Sequence, residues 1–324
     1  MPAEKKILPG FLMTHIVTFT PNPAIDVTTS VGKLEPMRKL RCAPAQRDPG
    51  GGGINVARVI TRLGGDVTAL FPAGGAAGES LRQLIDAEGV RSVTVSVELE
   101  TREDFTVHEK ASGAEYRFVM PGPQLRESEW QSCLNTLTGI ARGAGFIVAS
   151  GSLPPGVPDD LYARSARLAL ALGAKLVLDT SGAPLAAAMS AGIFLLKPSR
   201  RELSSLAGKA LETEAQCIAA ARSLVEEGKA EIVALTLGEQ GALLVTGREV
   251  LRARPLAVSV VSTVGAGDSF LGAMVWSLSR GGGIREAFRY GAAAGSAALL
   301  TSGTRLCEAD KVREFYGKIV IEAA

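Results

Sequence analysis

The chain has 324 residues, of which 46% are hydrophobic and 21% charged, with a formal net charge of +2. That length and composition bury a substantial core, exclude global disorder, and fit a large α/β domain with a small appendage. The nearly neutral balance excludes nucleic-acid or membrane partners held by clustered basic charge, while a few Lys and Arg still suffice for a small anionic substrate.

Residues 1–14 read as a loosely attached tail, or as lying upstream of a true start at Met13, and lack the apolar region of a signal peptide. "HIVTF" (15–19) reads as a first strand, stopped by "TPNPAID". Residues 28–49 are polar and irregular, with Pro36, Pro44, Pro49 and strand-like pieces. After "PGGGGIN", the three-residue spacing of Ile54, Ala57, Ile60 and Leu63 predicts a helix over 54–63. A strand at 67–71 and a helix over 78–88 follow. The segments 104–109 and 114–120 alternate in the strand manner and predict a β-hairpin.

Beyond Ser128 helices are expected at 128–141, 159–172, 184–190, 200–207 and 213–227. Strands are expected among them at 146–150, 175–179, 193–196 and 231–237. The pieces 242–246 and 249–256 resemble a second hairpin, and helices near 267–280, 284–299 and 308–320 finish the chain. Alternating strands and helices imply a mostly parallel sheet with helices on both faces. The interruptions at 28–49 and 101–120 are expected to form a small separate β-sheet lid inserted into one α/β domain spanning 15–324.

Cys42, Cys133, Cys217 and Cys307 show no CxxC pairing, which fits reduced thiols in a cytoplasmic protein better than a disulfide framework or zinc site. With only His15 and His108, a histidine-centred metal site or a Ser-His-Asp mechanism is not expected. No apolar run approaches the ~18 residues of a membrane span.

Two glycine turns stand out. In "STVGAGD" a β-type run meets Gly265 and Gly267 and then Asp268 at a helix start. Amides exposed there attract anions, and glycine admits a phosphate closely. Alone, the same residues fit a sharp corner with a capped helix. The dinucleotide fingerprint fails because Phe270 occupies the third glycine position, and no Gly-Lys pair is followed by Ser or Thr as a Walker loop requires. The second turn, Gly50 to Gly53 followed by Asn55, suggests close backbone approach to a ligand or a hinge, since four glycines are costly to order.

"PGGGGINVARVITRLGG" and "STVGAGDSFLGAM" together resemble the paired signatures of the ribokinase-like sugar kinases of the phosphofructokinase B type. "NPAID" (22–26), "SGSLPPGVP" (150–158), "LLKPSRREL" (195–203) and "TLGEQGALL" (236–244) fall between them in the family's order. The resemblance covers roughly residues 15–316, and within the family it points to the subgroup acting on phosphorylated ketohexoses. It implies a three-layer α/β/α fold with a β lid, clasped with a second copy into a homodimer.

The implied activity is ATP-dependent phosphoryl transfer to the 1-hydroxyl of fructose 6-phosphate, giving fructose 1,6-bisphosphate, with Mg²⁺ and a K⁺ site. Tagatose 6-phosphate and fructose 1-phosphate are the neighbouring substrates. A non-catalytic sugar-phosphate sensor and a nicotinamide dehydrogenase are the other classes weighed; Asp268 argues against the first and the failed fingerprint against the second.

By the same resemblance, Asp268 is the base, and the amides of Gly265, Ala266, Gly267 and Asp268 form the anion hole. Asp26, Gly51, Gly52 and Asn55 match positions holding sugar hydroxyls. Read by themselves, Asp26 is a turn residue and Asn55 a helix cap. Lys39, Arg41, Arg102 and Arg117, with Ser152 nearby, match positions taking the sugar's own phosphate. Lys197, Ser199, Arg201, Thr236, Gly238 and Gly241 resemble the nucleotide region, and Glu202 would orient Mg²⁺ through water. The commoner "KPN" is here "KPS", with Ser199 in place of Asn. Carbonyls around Ser262, Val264, Ala298, Thr301, Gly303 and Arg305 would hold K⁺.

Overall fold

A computed structural model describes residues 13–324, so the tail expected over 1–14 lies mostly outside the described residues. Thr14 is already tied in, its amide 3.0 Å from the Ser279 carbonyl.

The chain opens with β1 (Ile16–Phe19), β2 (Ala24–Val31) and β3 (Gln46–Gly50). Helix α1 (Gly52–Arg62), β4 (Val67–Ala73), α2 (Gly75–Ala87) and β5 (Ser92–Ser96) follow. The hairpin β6 (Arg102–Glu109) and β7 (Glu115–Phe118) leads into α3 (Glu127–Ile140). Then come β8 (Phe146–Ser150), α4 (Leu161–Ala171), β9 (Lys175–Asp179), α5 (Gly182–Ala188), β10 (Ile193–Leu196) and α6 (Arg200–Ala207). Helix α7 (Glu214–Glu226), β11 (Ala230–Thr236), β12 (Ala242–Thr246) and β13 (Val250–Ala253) precede α8 (Ala266–Ser279). Helices α9 (Ile284–Ala298) and α10 (Ala309–Tyr316) and strand β14 (Ile321–Ala323) complete it.

Among the described residues, ten strands form one sheet in the order β14-β13-β12-β11-β10-β9-β8-β1-β4-β5. From β11 to β5 the pairing is parallel, and β12, β13 and β14 add an antiparallel edge. Two apolar clusters, one on each face, enclose this sheet between helical layers. Chain order reverses between β1 and β8, since β4 and β5 lie to one side and β9 to β11 to the other. Such a switch point opens a crevice at the carboxyl ends of the strands.

The second sheet runs β3-β2-β6-β7, with β2 and β6 parallel and the outer pairs antiparallel. Strand alternation divides its faces. Asp26, Asp104, Thr106 and Arg117 share one face, and Val27, Phe105, Tyr116 and Phe118 share the other. Phe105, Tyr116 and Phe118 are exposed, an apolar patch at the lid's outer end.

Three expectations need correction. "NPAID" does not end as a turn: β2 begins at Ala24 and carries Asp26. The segment "SVTVS" is a main-sheet edge strand, β5, that the sequence reading passed over. The last helix stops at Tyr316, and the chain returns as β14 beside β13. The cysteines are all free. Among the described residues, no helix is long and apolar enough to cross a membrane.

Candidate active site

The glycine turns meet at the switch point. Gly52 sits so close to β8 that a Cβ on it would lie 2.1 Å from Ser150 Oγ, and one on Gly50 would lie 2.5 Å from Asp26 Cγ. The tetraglycine thus serves close approach to the protein's own strand ends. It delivers the N-terminus of α1 into the crevice, with Gly51 as N-cap and Asn55 in the first turn, so Asn55 is not the cap. Beside it, Gly265 adopts φ 73° and starts α8. Its left-handed backbone is what glycine tolerates and L side chains resist.

At the start of α8, the Ala266 amide reaches the Thr263 carbonyl at 3.4 Å, and the Ser269 amide closes the first helical bond onto Gly265 at 2.8 Å. Among the described residues, the amides of Gly265, Gly267 and Asp268 donate to no protein oxygen, leaving them for an anion. The expected anion hole therefore rests on these three, with Ala266 partly engaged. Asn55 Nδ2 donates to Asp268 Oδ2 at 2.9 Å and joins the first turns of the two helices. Burial raises the Asp268 carboxyl above its usual range, against the lowering effect of Asn55 and of Lys197.

Lys197, at the end of β10, is 6% exposed, and its Nζ pairs with Asp179 Oδ1 at 3.1 Å. The same Nζ lies 3.3 Å from where a Gly267 Cβ would stand, so its charge sits against the amide turn. Asp179 is a site residue the sequence reading missed. The signal was present, because it terminates "KLVLD" at the carboxyl end of a parallel strand. Burial pushes its carboxyl up to about 6.

Asp26 accepts a hydrogen bond from Thr304 Oγ1 at 2.7 Å, and burial pushes its carboxyl from 3.8 to about 6. The folded state therefore binds this proton more tightly than the unfolded chain. Its contribution to stability is full below the ordinary carboxylate value and is lost as pH climbs through about 6. A shift of this size corresponds to about 3 kcal/mol above that range. Asp26→Asn is expected to recover about 1–3 kcal/mol at pH 8 and little at pH 4. Calorimetric melts at the two pH values check this.

The other expected residues divide. Arg117, on exposed β7, lies near enough for its charge to lower both the Asp26 and Asp268 carboxyls. Lys39 and Arg41 lie exposed in the loop between β2 and β3. Arg102 instead turns inward: Nη2 donates to the Asn22 carbonyl at 3.0 Å, Nη1 to that of Met120 at 2.5 Å, and Asp104 lies 3.5 Å away. It braces the lid's root, at the rim of a cavity of about 550 Å³ that Ser152 also lines. Asn22, also missed, ties Ser152 Oγ to the Pro121 carbonyl through its amide.

Ser199 has a local structural role. It caps α6, accepting from the Glu202 amide at 3.3 Å, while Glu202 Oε2 accepts from the Ser199 amide at 2.7 Å. This capping box fixes Glu202 and leaves its Oε1 free of that bond. Arg201 is exposed; its neighbour Arg200 reaches Gln240 in the turn bounded by Gly238 and Gly241. Thr236 ends β11 beside Ser199, its amide 3.0 Å from the Pro198 carbonyl.

Segments 262–264 and 298–305 lie side by side, the Val261 amide 2.8 Å from the Leu299 carbonyl. Ser262 Oγ donates to Glu115 and accepts from the Val264 amide. The Ala298 carbonyl accepts from Thr301 Oγ1 at 2.9 Å, and that of Arg305 accepts from Arg62. The Ala298 carbonyl also accepts from the Thr301 amide at 3.2 Å, which uses its second lone pair, while the Arg305 carbonyl keeps one that suits a hard cation. Gly303 packs against Thr28 of the lid. Among the described residues, no three His, Cys, Asp or Glu side chains group to hold a metal.

A crevice with two glycine-rich helix starts, unpaired amides at one of them and a buried carboxylate beside these has the chemistry to take up a phosphoryl group. The chain belongs to the pfkB family of carbohydrate kinases, whose model matches residues 16–311. It is 48% identical over 302 residues to ATP-dependent 6-phosphofructokinase isozyme 2 of Mycobacterium tuberculosis, covering 93% of this chain and 89% of that protein. Phosphofructokinase-2 from Escherichia coli, solved in complex with potassium, superposes with a TM-score of 0.90 at 44% identity, covering 94% and 99% of the two chains. The same enzyme in complex with fructose-6-phosphate gives 0.87 at 42% identity with the same coverage.

Proposed function

We propose that this chain is an ATP-dependent kinase that phosphorylates the 1-hydroxyl of fructose 6-phosphate, yielding fructose 1,6-bisphosphate. The observation that carries the reading is Asp268 in the first turn of α8, beside unpaired amides and joined to Asn55. The hydroxyl oxygen forms a bond to the γ-phosphorus as the bond to the ADP oxygen breaks, and the hydroxyl proton passes to Asp268. The amides of Gly265, Gly267 and Asp268, with Lys197, take up the charge on the moving phosphoryl group. Asp26 and Asn55 hold sugar hydroxyls, and Arg117, Lys39 and Arg41 face the sugar's own phosphate. Residues 24–31, 46–50, 102–109 and 115–118 cover the crevice as a lid on a single catalytic domain.

Mg²⁺ supplies charge neutralisation on the nucleotide phosphates when bound. Glu202 and Asp179 offer it oxygen donors, the former through water. K⁺ would be held by carbonyls of 262–264 and 298–305 and would stiffen the turn before α8. The exposed face of Phe105, Tyr116 and Phe118 fits a homodimer clasped through the lid, which sedimentation at micromolar concentration tests. Unpaired buried cysteines and the substrate fit a place in the cytoplasm.

One coupled assay tests the whole reading: ATP and Mg²⁺ with fructose 6-phosphate, tagatose 6-phosphate or fructose 1-phosphate, in K⁺ and in Na⁺. Fastest turnover on fructose 6-phosphate in K⁺ is expected. No turnover on any substrate leaves a sugar-phosphate sensor, and equal rates in the two salts remove the cation site.

A further inference from the structure

Among the described residues, Arg58 is the largest fully buried side chain, and it carries none of the roles assigned above. It lies on α1 one turn after Asn55, 1% exposed. Its Nε and Nη2 donate to Glu88 Oε1, at 3.0 and 2.5 Å, beyond the end of α2. Nη1 is directed at three oxygens: the Pro49 carbonyl at 2.8 Å, the Thr304 carbonyl at 2.8 Å and Asn55 Oδ1 at 3.1 Å. Two of those partners each hold a buried carboxylate of the site. Asn55 donates to Asp268, and the Thr304 hydroxyl donates to Asp26. The third, Pro49, opens the tetraglycine.

A side-chain amide can turn over at little steric cost, exchanging its donor and acceptor ends. Here a flip would set the Asn55 amino group against a guanidinium and its oxygen against the Asp268 carboxylate. Both contacts would be repulsive. The fixed cation at Oδ1 therefore settles which end faces Asp268. With Oδ2 of Asp268 occupied by that amino group, Oδ1 is the oxygen left to receive a proton.

We propose that Arg58 is a positioning residue for phosphoryl transfer, locking the Asn55 amide towards Asp268. The inference rests on the reading of Asp268 as the base. Lysine at 58 keeps the charge but not the planar fork that serves Glu88 and Nη1's three acceptors together.

In Arg58→Lys, kcat is expected to fall by about 10–100-fold, the range found when groups that orient a functional residue are altered. The acid limb of the kcat profile should move to higher pH, because Asp268 loses the donor that favours its charged form. Lys197, Asp26, Asp179 and Arg117 also face Asp268 and are unchanged in the variant, so the displacement reports on Asn55. In an Asn55→Ala background, adding Arg58→Lys should cost less than about threefold more, because the two act through one contact.

Should Arg58→Lys fail to fold, Glu88→Ala is read the same way. Its carboxylate is 25% exposed, and its loss frees the guanidinium without touching Asn55. Unchanged kcat and acid limb in whichever variant folds, or fully additive losses in the double variant, overturn the proposal. Lack of fructose 6-phosphate turnover by the unaltered enzyme overturns the functional reading as well.

Discussion

Asp268→Asn is expected to lower kcat by about 10²–10⁴-fold, the usual contribution of a positioned base, while fructose 6-phosphate still binds. The asparagine is isosteric, and its carbonyl oxygen can keep the 2.9 Å bond from Asn55. The two helix starts therefore stay joined. What is lost is proton affinity, because an amide cannot take up the hydroxyl proton. Burial holds the Asp268 carboxyl above the usual range, so the substitution also removes a poorly solvated charge and should not destabilise the fold. Single-turnover kinetics and titration calorimetry with the sugar phosphate separate the two effects. Near-normal turnover would remove Asp268 from the mechanism.

The second large effect is expected from Lys197→Met, which should cost about 10²–10³ in kcat, as for a lost donor to developing charge. Methionine preserves the length of the side chain and removes the ammonium placed 3.3 Å from the Gly267 Cβ position. In the wild type, burial works against the Lys197 charge, but the carboxylates of Asp179, Asp268 and Glu202 outweigh it and raise its affinity for the proton. Removing the lysine strands Asp179. Breaking a buried pair costs about 3–5 kcal/mol when the remaining charge has no escape.

Asp179 does have an escape, because its carboxyl is already pushed up to about 6 and would rise further without its partner. Below that range it is protonated and the loss is small; as pH rises the charge must be borne unpaired and stability falls. Melting curves should therefore show a deficit that grows from pH 5 to pH 8. A deficit independent of pH would mean that Lys197 and Asp179 are not coupled.

The architecture was largely legible because β8, β9 and β10 are continuous apolar runs between helical periodicities, the signature of buried parallel strands. "SVTVS" escaped because an edge strand with serines at both ends carries little apolar content. Asp26 was read as a turn residue because Pro and Asn precede it, although the strand then runs eight residues beyond Pro23. Asp268 and the two glycine turns announced themselves through costly residues in unusual runs. Arg58, Asp179 and Thr304 did not, since each looks ordinary in sequence. Arg58 is one basic residue on an amphipathic helix, and only tertiary contacts with Glu88 and Thr304 distinguish it from a solvated one. Ser199 departs from the commoner Asn yet keeps the helix cap, which either residue supplies.

Parallel strands cannot be joined by a tight turn, and β2 and β6 are parallel. Between them the chain must lay down β3, α1, β4, α2 and β5, so the whole short side of the main sheet, β1, β4 and β5, is in the chain before the lid can zip. The pairing that closes it joins Ala24 to Arg102, a shorter span of chain than the Ile16 to Phe146 pairing that joins the two sides of the main sheet or the Asn55 to Asp268 contact that joins the two helix starts. The lid can therefore close on its own account, as a hydrogen-bonded unit distinct from the floor, and is able to move as one body over it.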